Sequence, residues 1–215
     1  MRVVLAASLF ALVYTPLSAQ TPSPAGGAPG SRTYSNPLGF SYDLPADWEV
    51  VDSQPSLPQV KEKATREVSS EEEKKGVACT QIGLTARHGN PASVILVETL
   101  PYDCFGQQMT ENDLPGFGAG VAEGLKQSFD LGDPQVVSYT LGSHRLWAER
   151  VHGNPKGQPD GHYTIEISCA LLRKAAVCWM MMAADSTSLA IFENGSLALE
   201  GDSPTPLVPA ATFMQ

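Results

Sequence analysis

Residues 175–184 read Ala-Ala-Val-Cys-Trp-Met-Met-Met-Ala-Ala, an apolar run with no wet face. Side chains alternate across an extended chain, so Trp179 and Met181 point one way while Cys178, Met180 and Met182 point the other. Both sets are apolar, and a strand apolar on both sides has to be covered on both sides. Residues 93–100, SVILVETL, repeat the pattern, with Val94 and Leu96 opposite to Ile95 and Val97. Two central strands of this kind argue for helices above and below an antiparallel sheet, against a sheet with one wet face. The second cover is expected from a helix starting near Asp185 or Ser186, where Leu189, Phe192 and Leu199 hold helical spacing.

Immediately upstream, residues 163–172 are also strand-like. A two-residue turn at Arg173 and Lys174 would make a hairpin with Cys169 opposite Cys178. Alternation outward from that turn makes them a non-hydrogen-bonded pair, where Cα atoms come closest and a disulfide is feasible. Arg-Lys is a poor sequence for such a turn, so a longer loop stays open as an alternative. The chain has 4 cysteines, which allow three pairings. With Cys169–Cys178 set by strand geometry, Cys79–Cys104 follows by elimination. No C-x-x-C occurs, which disfavours redox catalysis and zinc ribbons.

Other elements follow from periodicity. Phe40, Tyr42 and Leu44 alternate with polar residues, Pro45-Ala46-Asp47 turns the chain, and Trp48 and Val50 resume the alternation as a hairpin or a sharply bent strand pair. The charged segment 59–75 carries Val60, Ala64 and Val68 at four-residue spacing, which predicts one short solvated helix; a charged docking segment is the alternative. Residues 79–86 and 93–100 should pair across a turn at Gly89-Asn90-Pro91. Leu114, Phe117, Val121, Leu125 and Phe129 mark the main helix, started by Asn112 or Asp113 with Pro115 in its first turn. Residues 135–141 and 144–152 form a further hairpin around Gly142-Ser143, and a long polar loop at 153–161 leads into the strand from Tyr163.

The 215 residues are 42% hydrophobic and 17% charged, a balance that suits one compact domain and excludes disordered, collagen-like and polytopic membrane classes. A formal charge of −9 repels phosphate backbones and anionic lipid, so no nucleic-acid partner is expected. Met1-Arg2 and the apolar run Val3–Val13 read as a secretory signal peptide over residues 1–19, with cleavage after Ala19 and no stable membrane insertion afterwards. An uncleaved anchor is the alternative. Residues 20–33 then form a flexible Pro/Gly/Ala linker, 34–202 a single domain, and 203–215 a loose tail. The expected location is secreted or periplasmic, where paired thiols stay oxidised.

The opening of that domain, Tyr34-Ser35-Asn36-Pro37-Leu38-Gly39-Phe40-Ser41-Tyr42-Asp43-Leu44-Pro45-Ala46-Asp47-Trp48, resembles PsbP-like domains, in which a Gly-Phe strand runs into a Pro-x-x-Trp turn. The motif covers about 15 residues, and beyond it only element order agrees. The resemblance implies an α/β/α sandwich with a central antiparallel sheet covered by helices on both faces. It also implies a non-catalytic accessory or binding role, such as members have in photosynthetic oxygen evolution and nuclear transport. The two proposed disulfides and the charged 59–75 segment depart from the family, so no particular family partner carries over.

For chemistry, His152 and His162 flank the polar loop with Asp160 close by, and two imidazoles with a carboxylate could start a divalent metal site. His88 and His144 sit at other turns without a visible partner. Gly116, Gly118, Gly120 and Gly124 lack the leading strand and the Lys-Ser/Thr of a phosphate loop, so they read as small residues that let a helix approach the sheet. The three consecutive methionines split across the sheet as core. Asn194-Gly195-Ser196 matches a glycosylation acceptor. No G-x-S-x-G or H-E-x-x-H is present, and no cofactor is expected. The leading reading is an exported non-catalytic binding or accessory module with an unknown protein partner in the envelope or extracellular space. The competing reading is a small metal-dependent enzyme or ligand binder at His152, Asp160 and His162.

Overall fold

The computed structural model describes residues 31–52, 57–89, 91–158 and 160–213. The signal-peptide reading and most of the linker fall outside them. The double-apolar strand is β10 (Ala175–Ala183), and every residue of it is buried. It pairs with β5 (Ser93–Pro101) on one side and β9 (Tyr163–Leu171) on the other, both antiparallel, so the two strands apolar on both faces are neighbours at the sheet centre. Outward from β5 come β4 (Gln81–His88) and the two-residue β3 (Glu49–Val50); outward from β9 comes β8 (His144–Pro155). Beyond β8 lie β6 (Phe129–Leu131) and β7 (Gln135–Leu141), each paired to a different half of β8. The eight strands make one antiparallel sheet.

One face of that sheet is covered by helices. α4 (Leu114–Leu125) lies across β8 and β9, with Leu114, Phe117, Val121 and Leu125 buried against Met180, Met182 and Ile167. Gly118 lets it come that close: a Cβ there would sit 2.1 Å from Trp147 Cε3, so the small-residue reading of the glycines holds at this position. α1 (Leu57–Glu67), α2 (Glu71–Cys79) and the single-turn α3 (Tyr102–Phe105) contribute Val60, Cys79, Tyr102 and Phe105 to the same core.

The opposite face differs from the expected helical lid. It is covered by a second antiparallel sheet in the order β1 (Ser31–Asn36), β2 (Phe40–Pro45), β11 (Ser196–Leu199), β12 (Thr205–Pro206), with the eight-residue helix α5 (Ser186–Glu193) beside it. Phe40, Tyr42, Leu44, Leu197, Leu199 and Phe192 pack there on Ile95, Val97, Trp179 and Met181. The sheet is thus covered on both faces, by helices on one and by strands plus one helix on the other. Leu199 fits a helical stripe by spacing, but it belongs to β11, where Leu197 and Leu199 are buried and Ser196 and Ala198 are less so. Gly195 ends the helix and must remain small, because a Cβ on it would lie 2.3 Å from Tyr42 Oη.

Five further expectations are corrected. The 59–75 segment is split into α1 and α2, because Ser70 starts a new helix: its side chain accepts the Glu73 N–H at 3.1 Å while Glu73 Oε2 accepts the Ser70 N–H at 3.1 Å. α2 then runs to Cys79, so the following strand begins at Gln81. Phe129 opens β6 and does not extend the main helix, which closes at Leu125 through a turn in which Ser128 N–H donates to Leu125 O. The tail from 203 is attached: Leu207 and Val208 are buried, and their N–H groups donate to Gly195 O and Glu193 O at 2.9 Å each. Prolines 204, 206 and 209 lack donors, but the residues between them supply these bonds. At the other end, β1 begins at Ser31, inside the segment expected as linker.

Both disulfides pair as read. Cys169 faces Cys178 across β9 and β10 with Cα atoms 4.1 Å apart, and the hairpin closes on Leu172 N–H to Ala175 O with two residues between. Cys79–Cys104 spans 5.6 Å between Cα atoms and ties the end of α2 to α3.

Candidate protein-binding surface

The histidine constellation does not assemble. β8 continues through Pro155, so His152 sits inside a strand and not at a loop end, and its Nδ1 shares a 3.2 Å hydrogen bond with Thr164 Oγ1. His162 Nδ1 instead shares a 3.0 Å hydrogen bond with Asn154 Oδ1. Asp160 is exposed on the intervening turn. Among the described residues no three His, Cys, Asp or Glu side chains converge as metal ligands. The other two histidines do have neighbours: His88 stacks on Trp48 with ring centroids 5.6 Å apart, and His144 Nε2 lies 3.8 Å from Glu200 Oε2 and 3.9 Å from Asp202 Oδ2.

A different feature stands out at the far edge of the large sheet. β7 reads Gln-Val-Val-Ser-Tyr-Thr-Leu, seven residues without a charge or a proline, rich in β-branched and aromatic side chains. Its register on β8 is continuous from Gln135↔Arg150 to Leu141↔His144, with no bulge. Natural edge strands are usually guarded by charge, proline, a bulge or shortness. The opposite edge, β3, is guarded by shortness, with two residues. β7 carries none of these guards, and Val136 on it is 51% exposed.

The backbone of β7 is open in an alternating way. The hairpin turn has two residues, Gly142 at φ 55° followed by Ser143, which places Leu141 and His144 in a hydrogen-bonded pair. Counting back by alternation, Gln135, Val137, Tyr139 and Leu141 bond to β8, while Val136, Ser138 and Thr140 aim N–H and C=O outward. Among the described residues no backbone hydrogen bond is made on that outer side.

The floor beside this edge is rigidly built. Arg150 on β8 donates from Nε to Glu166 Oε2 at 2.8 Å and pairs with Glu193 of α5. Its guanidinium lies 4.0 Å from the centroid of the Phe213 ring, a cation–π contact. Tyr139 Oη donates to Leu207 O at 2.8 Å, and Gln135 Nε2 donates to Phe213 O at 2.9 Å. These contacts hold the tail alongside β7 and leave a groove of about 460 Å³ between the strand and Pro209, Ala211 and Thr212. Burial pushes the Glu166 carboxyl up to about 7, against the opposing pull of Arg150. Burial of the Tyr139 phenol raises its pKa as well, so it stays a neutral donor to the tail. Glu98 on β5 is more deeply placed, with both oxygens buried and unpartnered, and burial pushes it up to about 8.

Sequence reasoning found the β7–β8 hairpin but not its position. No local signal gave it away: uncharged 135–141 beside charged 144–152 reads as the inner strand of the two, because natural edges usually carry the charge.

No family model matches the sequence, and no curated protein matches it. Among solved structures, the chain is similar to the solution structure of cyanobacterial PsbP (CyanoP) from Synechocystis sp. PCC 6803, at 11% identity and a TM-score of 0.41, over 82% of this chain and 92% of that one.

Proposed function

We propose that this chain is an exported, non-catalytic binding or accessory module that acts through protein–protein contact, and that it takes up its partner by strand addition at β7. The observation that carries the reading is the seven-residue, uncharged, bulge-free edge with its outward backbone groups unused. An added strand would satisfy those groups, and its side chains would reach the groove beside the tail. Export is supported by the signal-like segment at residues 1–19 and by the two disulfides.

The test uses Ser138→Pro. Ser138 N–H points outward, so proline removes a donor to an incoming strand and leaves the β7–β8 bonds in place. With a melting curve to verify folding, affinity capture from the native envelope or secreted fraction should recover a reproducible partner with the wild-type chain. The Ser138→Pro chain should recover it at least about tenfold less, the equivalent of losing roughly one charge-free hydrogen-bonded contact. Equal recovery by both chains would overturn the reading.

A further inference from the structure

We infer that the strand added at β7 is β7 of a second copy of this chain, an inference that rests on the reading of β7 as a strand-addition edge. The sequence of the strand is self-complementary when turned antiparallel about Ser138. That register sets Ser138 opposite its own copy, Val136 opposite Thr140, and Val137 opposite Tyr139. Val136, Ser138 and Thr140 are the residues with outward backbone groups, so Ser138 meets its copy in a hydrogen-bonded pair and the two Val136–Thr140 pairs continue the ladder. On one face Val136 then neighbours Thr140 on either side of the central Ser138–Ser138 pair, and on the other Val137 neighbours Tyr139, a favourable aromatic–β-branched combination. No like charges meet.

Charge points to the same place. Two chains of net charge −9 repel over most approach directions, whereas β7 presents seven consecutive uncharged residues. The exposed Val136 side chain would be covered by the pairing, as its 51% exposure in the single chain invites. The chain's own leader is a poor competitor for the edge. Residues 20–30 carry Pro22, Pro24 and Pro29, which cannot donate to a ladder, together with three glycines that weaken any strand. An isologous contact of this kind closes on itself at two copies, so it yields a dimer and no filament.

The two-fold axis through Ser138 makes a specific test possible. Ser138 is exposed, so Ser138→Lys and Ser138→Glu leave the single chain folded, yet each places like charges face to face across the axis. Sedimentation equilibrium of the full mature chain across roughly 1–300 µM, a range suited to a contact at the small end of interface sizes, reads the result. The wild-type chain should show a species of twice the chain mass. Each charged variant alone should weaken it by at least about tenfold, and an equimolar mixture of the two should restore it. A wild-type chain that stays single throughout overturns the inference, as does a dimer indifferent to both charges or a mixture no tighter than either variant. The capture experiment above separates the two readings: a chain that stays single in solution while its Ser138→Pro variant loses a captured partner of another sequence would overturn this inference and leave the binding reading standing.

Discussion

Replacing Trp179 by Ala is expected to lower the free energy of unfolding by about 4 kcal/mol, the cost typical of truncating a large aromatic in a packed core. Trp179 is fully buried at the centre of β10, and Phe40 of the second sheet meets its ring edge-on with centroids 5.3 Å apart. The cavity would open where the two sheets touch, so neither layer can collapse into it without moving the other. Against the roughly 5–15 kcal/mol that holds a domain together, this is a large fraction, and the melting temperature should fall by roughly 8–16 °C. Chemical denaturation of the two chains under oxidising conditions measures it. A loss under about 1 kcal/mol would mean that the second sheet does not pack on this residue.

Glu98→Gln should act in the opposite direction at neutral pH and stabilise the protein by about 3 kcal/mol at pH 7. Glu98 is wholly buried between its register partners Ile82 and Cys178, both its oxygens lack a partner, and burial raises its pKa from 4.5 to about 8. The sign follows from linkage. In the unfolded chain the carboxyl ionises near 4.5, while in the folded chain it holds its proton to about 8, so folding takes up a proton between these values. The stability is fully present below about pH 4.5 and falls by about 1.4 kcal/mol per pH unit as pH rises towards 8. Glutamine keeps the shape of the protonated acid and removes that slope. Glu166, raised to about 7, adds a slope of the same sign that the variant retains. Denaturation midpoints at pH 5, 6, 7 and 8 should therefore converge for the two chains at low pH and separate as pH rises. Parallel curves would show that Glu98 has a partner or reaches water.

How far the sequence could be read depended on whether a pattern was local. β10 announced itself, because apolar side chains at both odd and even positions leave a strand no wet face, and its hairpin register brought Cys169 to Cys178. The break between α1 and α2 was also local: Ser70-x-x-Glu73 is a capping box, and the run Val60, Ala64, Val68 masked it by matching a single helix. Phe129 and Leu199 misled for another reason. Phe129 lies four residues after Leu125 and Leu199 seven after Phe192, both helical intervals, yet each belongs to a strand, because the helix ends between the two residues and the interval no longer marks a shared face. The second sheet was out of reach because β2 pairs with β11, with Phe40 beside Leu199 from the far end of the chain, and nothing in either segment names the other. The same holds for the β7 edge. That β7 lies outermost depends on β6 and β7 sharing one side of β8, a fact of topology, while its lack of charge was visible in the sequence all along. The histidine pair failed because β6 extends β8 through Pro155 and turns the supposed loop end into ladder.

If β10 lies in the middle of a sheet covered on both faces, native-state hydrogen exchange of its backbone amides will show it. Residues 177–182 should be among the slowest to exchange in the molecule, opening only with global unfolding and shifting with denaturant as the whole domain does. Exchange there as fast as at the chain ends, by local opening insensitive to denaturant, would mean that β10 is not the covered centre of the sheet.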